Sequence, residues 1–139
     1  MKKYSVNDCY IFDLPKIQDN RGNLTFVEGE NHIPFEIKRI YYLYDVPSGS
    51  ERGAHAHKEL FQVMIPIAGS FDITLDDGNE KKTFQLNRPN KPLFICPKMW
   101  RQLSNFSSGS VCLVLASDRY TEDDYIRDYD SFKKIINKT

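Results

Sequence analysis

The spacing of two histidines is the first feature of the chain that suggests chemistry. His55 and His57 are separated by a single residue, and the chain has only one other histidine, His32. The segment around the pair reads as extended, and side chains two positions apart in a strand point to the same face. The two imidazoles should therefore share one small volume, where they could bind a metal, transfer protons or pack in the core. His32 lies in a predicted loop, and we expect an ordinary loop histidine there.

Short strands are expected to position this pair. Turn-forming residues such as Asn20-Arg21-Gly22 and Asp77-Gly78 separate apolar or alternating runs, and only the C-terminal segment has helical periodicity. Eight or nine short strands with frequent turns are typical of a β-sandwich or a barrel. The predicted strands cover residues 9–14, 23–29, 37–46, the histidine segment, 60–68, 70–75, 82–86, 93–97 and 110–117.

The strand over 37–46 splits into two faces by parity. Arg39, Tyr41 and Leu43 share one face, and Ile40 and Tyr42 share the other. An arginine on an inward face is costly to bury without a partner. A ligand anion or hydroxyl would supply that partner, whereas an ion pair at a sheet edge would explain Arg39 without any ligand. The sequence leaves both interpretations open.

The C-terminal segment predicts one helix over about 121–137. Thr121 could cap it, with Asp124 three residues further on, and acidic residues occupy the first turn. An apolar stripe is expected to pack this helix against the sheet. That stripe consists of Tyr125, Ile126, Tyr129, Phe132, Ile135 and Ile136. With strands over about 9–117 and this helix, residues 1–139 are predicted to form a single domain.

Composition narrows the class of protein. The 139 residues carry 19 basic and 19 acidic side chains, and this zero net charge argues against general binding of nucleic acid or membrane surfaces. Cys9, Cys96 and Cys112 are odd in number and widely spaced, as expected for buried thiols in a reducing compartment. The N-terminal residues lack an apolar signal segment, and no apolar run approaches the length of a membrane span. We therefore expect a cytoplasmic protein.

The histidine segment resembles the first motif of the cupins. His55-x-His57 is followed after four residues by Gln62 and after six more by Gly69, which is the spacing of that motif. This resemblance implies an all-β cupin jelly-roll, a double-stranded β-helix or β-sandwich, here with a C-terminal helix. Metal-binding cupins resemble this chain in the two histidines. They have glutamate at the position of Gln62, and they have a further histidine that Arg101 replaces here. Two imidazoles, a neutral amide and a cation make a poor ligand set for a divalent metal. We expect no metal and no cofactor, with the imidazoles free to move protons.

A longer set of residues narrows the resemblance to the sugar 3,4-ketoisomerases. The similarity spans nearly the whole chain, including the unusual tail. It rests on Arg39-Ile40-Tyr41-Tyr42, Arg52-Gly53-x-His55-Ala56-His57-Lys58, Trp100, Val114-Leu115-Ala116-Ser117-Asp118 and Tyr125-Ile126-Arg127-x-Tyr129. The resemblance implies a metal-free dimer with exchanged strands that acts on thymidine-diphosphate (dTDP) 4-keto-6-deoxyglucose. Its product would pass to a pyridoxal-phosphate aminotransferase, on the way to 3-amino-3,6-dideoxy sugars of surface glycans such as the O-antigen of lipopolysaccharide.

The resemblance also assigns roles to individual residues. His55 matches the family's catalytic base, and His57 and Tyr41 are candidates for moving the hydroxyl and enolate protons. The diphosphate needs cations, for which Arg39, Arg52 and Lys58 are candidates. Gln62 could bond a sugar hydroxyl, a histidine or only the core. Trp100 could stack on the sugar or base, or be an ordinary core aromatic.

Two further positions bear on the stereochemistry at C4. Family members that give the galacto product resemble this chain at Arg21 but have histidine at the position of Arg101. Members that give the gluco product have tyrosine and arginine at these two positions. The chain thus has one residue of each type, and Arg101 favours the gluco product because the histidine that would deliver a proton to C4 is missing.

Two other functions are compatible with a metal-free cupin. A nucleotide-sugar 3,5-epimerase also removes protons next to a ketone, although it usually pairs its histidine with a separate aspartate and tyrosine and is longer. A ligand-binding or regulatory module would use His55 and His57 only to bind a sugar or line the core. The tandem histidines and the tail favour the ketoisomerase.

Overall fold

The computed structural model describes residues 3–138, and this part of the chain is built mainly from short antiparallel strands. Twelve strands and one α-helix are present in the described range, together with 3-10 turns at Val6–Asp8 and Glu122–Asp124. The elements are β1 (Tyr10–Ile11), β2 (Lys16–Asp19), β3 (Gly22–Thr25), β4 (Arg39–Leu43), β5 (Arg52–His57), β6 (Gln62–Ala68), β7 (Phe71–Asp76), β8 (Lys81–Leu86), β9 (Leu93–Ile95), β10 (Trp100–Ser104), β11 (Val111–Ala116), β12 (Tyr125–Ile126) and α1 (Tyr129–Asn137).

Two five-stranded sheets carry the fold. One has the strand order β1-β9-β6-β11-β4 and the other β12-β5-β10-β7-β8, and neighbouring strands in both are antiparallel. Apolar side chains from both sheets, among them Ile73, Leu103 and Val114, are fully buried in one continuous core. This arrangement confirms the predicted all-β cupin jelly-roll with a C-terminal helix.

The C-terminal helix begins at Tyr129, so the predicted start at Thr121 is wrong. Thr121 makes no capping hydrogen bond with its side chain, whereas the carboxylate of Asp128 accepts from the backbone N–H of Ser131 at 2.9 Å and caps α1. Between these two positions, Tyr125 and Ile126 form β12 and pair with β5. The backbone bonds of this pairing and the burial of Ile126 outweigh the helical pattern of the segment. Only the later part of the apolar stripe is therefore helical.

Buried side chains hold α1 against the back of the histidine strand. Phe132 and Ile136 are 0% and 4% exposed, and they pack with Ala56 of β5 and Ile126 of β12. Ala56 lies between the two histidines in sequence and points to the opposite face of β5. The helix therefore supports the strand from behind, away from the imidazole of His55.

Other strand boundaries also differ from the expectation. The strand predicted over 9–14 is reduced to β1, although the amides of Phe12 and Leu14 still donate to the carbonyls of Pro92 and Asn90. The strand predicted over 23–29 ends at Thr25, and β2, β10 and β12 were not predicted as strands. Strands β2 and β3 pair only with each other, and they leave the side chains of Ile17 and Leu24 each 56% exposed.

Two expectations about the chemical environment can be compared with this fold. Cys9, Cys96 and Cys112 are buried thiols, as their spacing predicted. Among the helices of residues 3–138, none has both the length and the apolar character needed to cross a membrane.

Candidate active site

Strand β5 holds both histidines between two neighbouring strands. His55 is opposite Arg101 of β10, and His57 is opposite Tyr125 of β12. The side chain of His57 is completely buried, whereas His55 is half-buried and lines a cavity. The alternation of the strand thus brings the two rings together as predicted, and only His55 is in direct contact with the cavity.

The two imidazoles belong to a hydrogen-bonded chain that ends on a carboxylate. The Nε2 atoms of His55 and His57 are 3.2 Å apart, and Nδ1 of His57 is 2.9 Å from Oδ2 of Asp124. The other oxygen of Asp124 accepts from the backbone N–H of Glu59 at 2.8 Å. The ring of Tyr125 packs against both imidazoles, with centroid distances of 5.1 and 4.4 Å. The pair is therefore held by β12 and the turn before it.

Both histidines are neutral at physiological pH in this environment. Burial, followed by the nearby guanidinium of Arg101, lowers the pKa of His55 to about 3 and that of His57 to about 2. Burial raises the pKa of the Asp124 carboxyl. A neutral imidazole has one nitrogen lone pair and can act as a base, as proton transfer from a sugar carbon requires.

A second hydrogen-bonded chain connects Arg101 to the hydroxyl of Tyr41. Arg101 is completely buried, and its Nη1 donates to Oε1 of Gln62. The amide nitrogen of Gln62 in turn donates to the oxygen of Tyr41 at 2.9 Å. Because the Tyr41 oxygen accepts this bond, its own proton is left to donate elsewhere. Burial also raises the pKa of Tyr41, so the hydroxyl stays protonated.

A cavity of about 400 Å³ opens in front of these groups. Its polar lining is dominated by cations, since Arg39, Arg52, Arg101 and Arg127 all contribute. The guanidinium of Arg127 lies 4.2 Å from the ring centroid of Tyr125 and also bonds Glu122. Such a lining favours an anionic ligand or an anionic intermediate. Of the two interpretations of Arg39, the ligand-facing one matches its place in the lining.

Four predicted substrate-binding residues lie outside the lining of this cavity, and one of them, Gln62, is the completely buried partner of Arg101 described above. Arg21 is at the tip of the β2–β3 hairpin, where it pairs with Asp19 and is 87% exposed. Lys58 is exposed and lines two neighbouring hollows instead. Trp100 is on the face of β10 opposite to Arg101 and contacts Tyr129 and Phe132 of α1, so the interpretation as a packing aromatic accounts for its position.

Three residues of the site were not predicted as site residues. Asp124, Tyr125 and Arg127 all come from the segment before α1, which the periodicity of the sequence assigned to the helix. Tyr125 and Arg127 belonged to the tail on which the family resemblance rested, and this was the one signal that could have identified them. The predicted loop histidine, His32, accepts from the backbone N–H of Glu28 at 2.8 Å and does not line the cavity of the pair.

The donor set of the site does not suit a metal. Gln62 is engaged by Arg101 and Tyr41, and the positively charged Arg101 lies opposite His55 on the neighbouring strand. Within residues 3–138, no three His, Cys, Asp or Glu side chains are grouped to hold a metal ion. The expectation of a metal-free site rests on this chemistry and stays a prediction.

Comparisons of the sequence with known proteins identify the family of this chain. A family model described as FdtA: WxcM-like, C-terminal, matches residues 7–137. The chain is 46% identical over 128 residues to the TDP-4-oxo-6-deoxy-alpha-D-glucose-3,4-oxoisomerase of Aneurinibacillus thermoaerophilus, with 92% of both chains covered.

Two of the solved structures that are similar to this chain are also 3,4-ketoisomerases. A variant of the 3,4-ketoisomerase QdtA from Thermoanaerobacterium thermosaccharolyticum, in complex with TDP-4-keto-6-deoxyglucose, superposes with a TM-score of 0.91 at 42% identity, covering 94% of both chains. The TDP-quinovose 3,4-ketoisomerase WlaRB from Campylobacter jejuni gives a TM-score of 0.87 at 50% identity, covering 91% of this chain and 98% of its own. A dTDP-4-dehydrorhamnose 3,5-epimerase from Bacillus anthracis, at 12% identity, a TM-score of 0.76 and coverage of 88% and 79%, shares only the fold.

Proposed function

The chain belongs to the FdtA-type family of sugar 3,4-ketoisomerases, and from that premise we propose that it converts dTDP-4-keto-6-deoxyglucose into its 3-keto isomer. The observation that carries this proposal is the pair of neutral imidazoles, 3.2 Å apart, beside a cavity that also contains the Tyr41 hydroxyl. The reaction moves two protons and no electrons leave the sugar, so acid–base groups are sufficient.

His55 is the base that starts the reaction. It lines the cavity and is neutral, so its lone pair can accept the proton on C3, which is acidic because C4 is a ketone. The electrons of the C3–H bond form a C3–C4 double bond, and those of the carbonyl move to the C4 oxygen. His55 then gives a proton to C4, and the C3 hydroxyl gives its proton to the deprotonated oxygen of Tyr41, which completes the isomerisation and restores both groups.

Tyr41 protonates the oxygen at C4 in this scheme. Its oxygen already accepts from Gln62, so the hydroxyl proton is available to the cavity. As the enolate forms, a hydrogen bond from Tyr41 strengthens, and the buried positive charge of Arg101 favours the same anion. His57 relays charge behind His55 and does not touch the sugar.

The arginines of the cavity bind the diphosphate. Arg52 and Arg127 are exposed at the cavity, and Nε of Arg39 is buried with no hydrogen-bonding partner among residues 3–138. Guanidinium groups pair with phosphate oxygens in two-pronged geometry, which suits a nucleotide diphosphate. Arg101 and Gln62 instead act at the sugar end, next to Tyr41.

The product is the gluco isomer in this proposal. Arg101 retains all its protons at neutral pH and is too weak an acid to deliver one, so the histidine-type delivery expected for the galacto product is missing. The 50% identity to a relative named a TDP-quinovose 3,4-ketoisomerase supports the same choice. NMR of the enzymatic product distinguishes the two epimers by the coupling of the proton at C4.

A homodimer with exchanged hairpins is the proposed assembly. Strands β2 and β3 belong to neither five-stranded sheet and expose Ile17 and Leu24, which a second copy could cover. Exchange of this hairpin is also the route by which Arg21 could reach a cavity, since it lies outside the cavity of its own chain. We place this single-domain cupin in the cytoplasm, where a pyridoxal-phosphate aminotransferase would take the 3-keto product.

Deuterium exchange tests the proposed reaction directly. The protein is incubated with dTDP-4-keto-6-deoxyglucose in deuterated water, and the sugar is analysed by NMR. A ketoisomerase moves the ketone to C3 and places deuterium at C4. Deuterium at C3 and C5 with the ketone still at C4 would indicate an epimerase, and a sugar that binds without exchange would indicate a ligand-binding module.

A further inference from the structure

We propose that Asp124 is a positioning residue that fixes the tautomer of His57. It thereby decides which nitrogen of His55 has the lone pair that acts as the base. The proposal deepens the function proposed above and rests on it. The carboxylate lies 2.9 Å from Nδ1 of His57, on the side of the ring opposite to His55. A carboxylate, a buried imidazole and a cavity-lining imidazole thus form one hydrogen-bonded chain.

The hydrogen-bond inventory determines where the protons are. A carboxylate can only accept, so Nδ1 of His57 must donate its proton to Asp124. Since neutral His57 has only this one proton, its Nε2 has the lone pair and accepts from Nε2 of His55. The lone pair of neutral His55 is then on Nδ1. Asp124 therefore acts on the base through His57 without contacting the sugar.

The same hydrogen-bonded chain stabilises the positive charge that forms on His55 in the reaction. When His55 accepts the proton from C3, its Nε2 proton can shift towards Nε2 of His57 across the 3.2 Å contact. The positive charge is then shared by two rings, and the second ring donates to the negative charge of Asp124. A buried imidazolium next to Arg101 would otherwise be costly, because both charges are positive.

The carboxylate is not needed to attach its segment to the barrel. The backbone carbonyl of Asp124 already accepts from the N–H of Lys58 at 2.9 Å, and Tyr125 and Ile126 pair with β5. Asp123, its neighbour in the same 3-10 turn, is exposed and takes no part in the histidine chain. Asp123 therefore offers a control with the same chemical change one position away.

Asp124→Asn tests the proposal with almost no change of shape. If the amide oxygen keeps its bond to the N–H of Glu59, the amide NH₂ faces Nδ1 of His57 and needs a lone pair there. The tautomer of His57 must then invert. We expect kcat to fall by about 10²–10⁴-fold with KM little changed, as for other carboxylates that orient a catalytic histidine. Asp123→Asn should match the wild type in both constants.

Nitrogen-15 NMR of the histidine-labelled protein reads the tautomer without any sugar. The wild type should show His57 protonated at Nδ1, and Asp124→Asn should show it protonated at Nε2. Protonation at Nε2 in the wild type, or a kcat for Asp124→Asn equal to that of Asp123→Asn, would overturn the proposal. If the wild type does not isomerise the 4-keto sugar, the proposed function fails, whereas the tautomer of the ligand-free wild type still decides the role of Asp124.

Discussion

His55 and His57 meet through their Nε2 atoms at 3.2 Å, a distance at which one nitrogen must donate to the other. Only His55 reaches the cavity, while His57 is fully buried behind it. The two rings therefore differ in environment although they are equivalent in the sequence motif: one lines the cavity, and the other is buried between the first and Asp124.

Loss of the cavity-lining imidazole should abolish turnover. We expect His55→Asn to lower kcat by about 10²–10⁴-fold, because a general base contributes on this scale. Binding of thymidine diphosphate, measured by calorimetry, should persist because the arginines are unchanged. His32→Asn, in a distant loop, is the control and should keep full activity. Full activity of His55→Asn would contradict the assigned base.

Two substitutions of Gln62 separate its structural and catalytic contributions. Gln62→Leu removes one of the two hydrogen-bond acceptors of buried Arg101, the other being the backbone carbonyl of Met99, and this loss should cost about 1–3 kcal/mol of unfolding free energy. Gln62→Glu keeps an acceptor for Arg101 but cannot donate to Tyr41, whose proton would then turn to the carboxylate. We expect Gln62→Glu to be stably folded but slow. Denaturant unfolding and kcat measure the two effects, and equal activity of Gln62→Glu and the wild type would remove Tyr41 from the mechanism.

Stability should decrease as the pH falls from about 6.5 to 5. The pKa values of His55 and His57 are about 3 and about 2 in the folded protein, so protons bind to them first in the unfolded chain, which has an ordinary histidine pKa of about 6.5. Each such proton lowers the unfolding free energy by at most about 1.4 kcal/mol per pH unit. This window lies above the titration of carboxylates in the unfolded chain. The urea midpoint of the wild type should therefore fall faster with pH than that of His57→Gln, and parallel curves would refute the buried neutral state.

The exposed hairpin gives a test of the proposed assembly. Ile17→Lys together with Leu24→Lys places two charges on a surface that a second copy would bury, which should convert a dimer into a monomer. Light scattering coupled to size exclusion measures the mass of both proteins. Thr74→Lys serves as a control and should leave the mass unchanged. Thr74 of β7 forms an exposed pair with Thr83 of β8, away from the β2–β3 hairpin in sequence. A monomeric wild type would exclude the proposed exchange of hairpins.

Local patterns in the sequence predicted the parts of the fold that depend on neighbouring residues. Alternation in the strand over 37–46 correctly put Arg39, Tyr41 and Leu43 on one face, which is half-buried, and Ile40 and Tyr42 on the other, which is exposed. The spacing of the two histidines correctly predicted that their rings meet. Both features follow from the two-residue period of a strand and require no knowledge of the rest of the fold.

Contacts between distant segments could not be read in the same way. Asp124 and His57 are 67 residues apart, and no periodicity connects them. Tyr125 and Ile126 even fit the helical stripe that continues to Phe132, so the local pattern favoured the wrong element. The side of β10 that carries Arg101 was equally hidden, because the strand had not been recognised.

The pairing of β12 with β5 also has a consequence for the order in which the chain folds. Every other strand of the two five-stranded sheets ends by Ala116, so these strands could assemble before the segment that completes the hydrogen-bonded histidine chain has paired with β5. At that moment His57 would lack its carboxylate. Competence for proton transfer would thus be acquired only when this late segment pairs with β5, after most of the architecture exists.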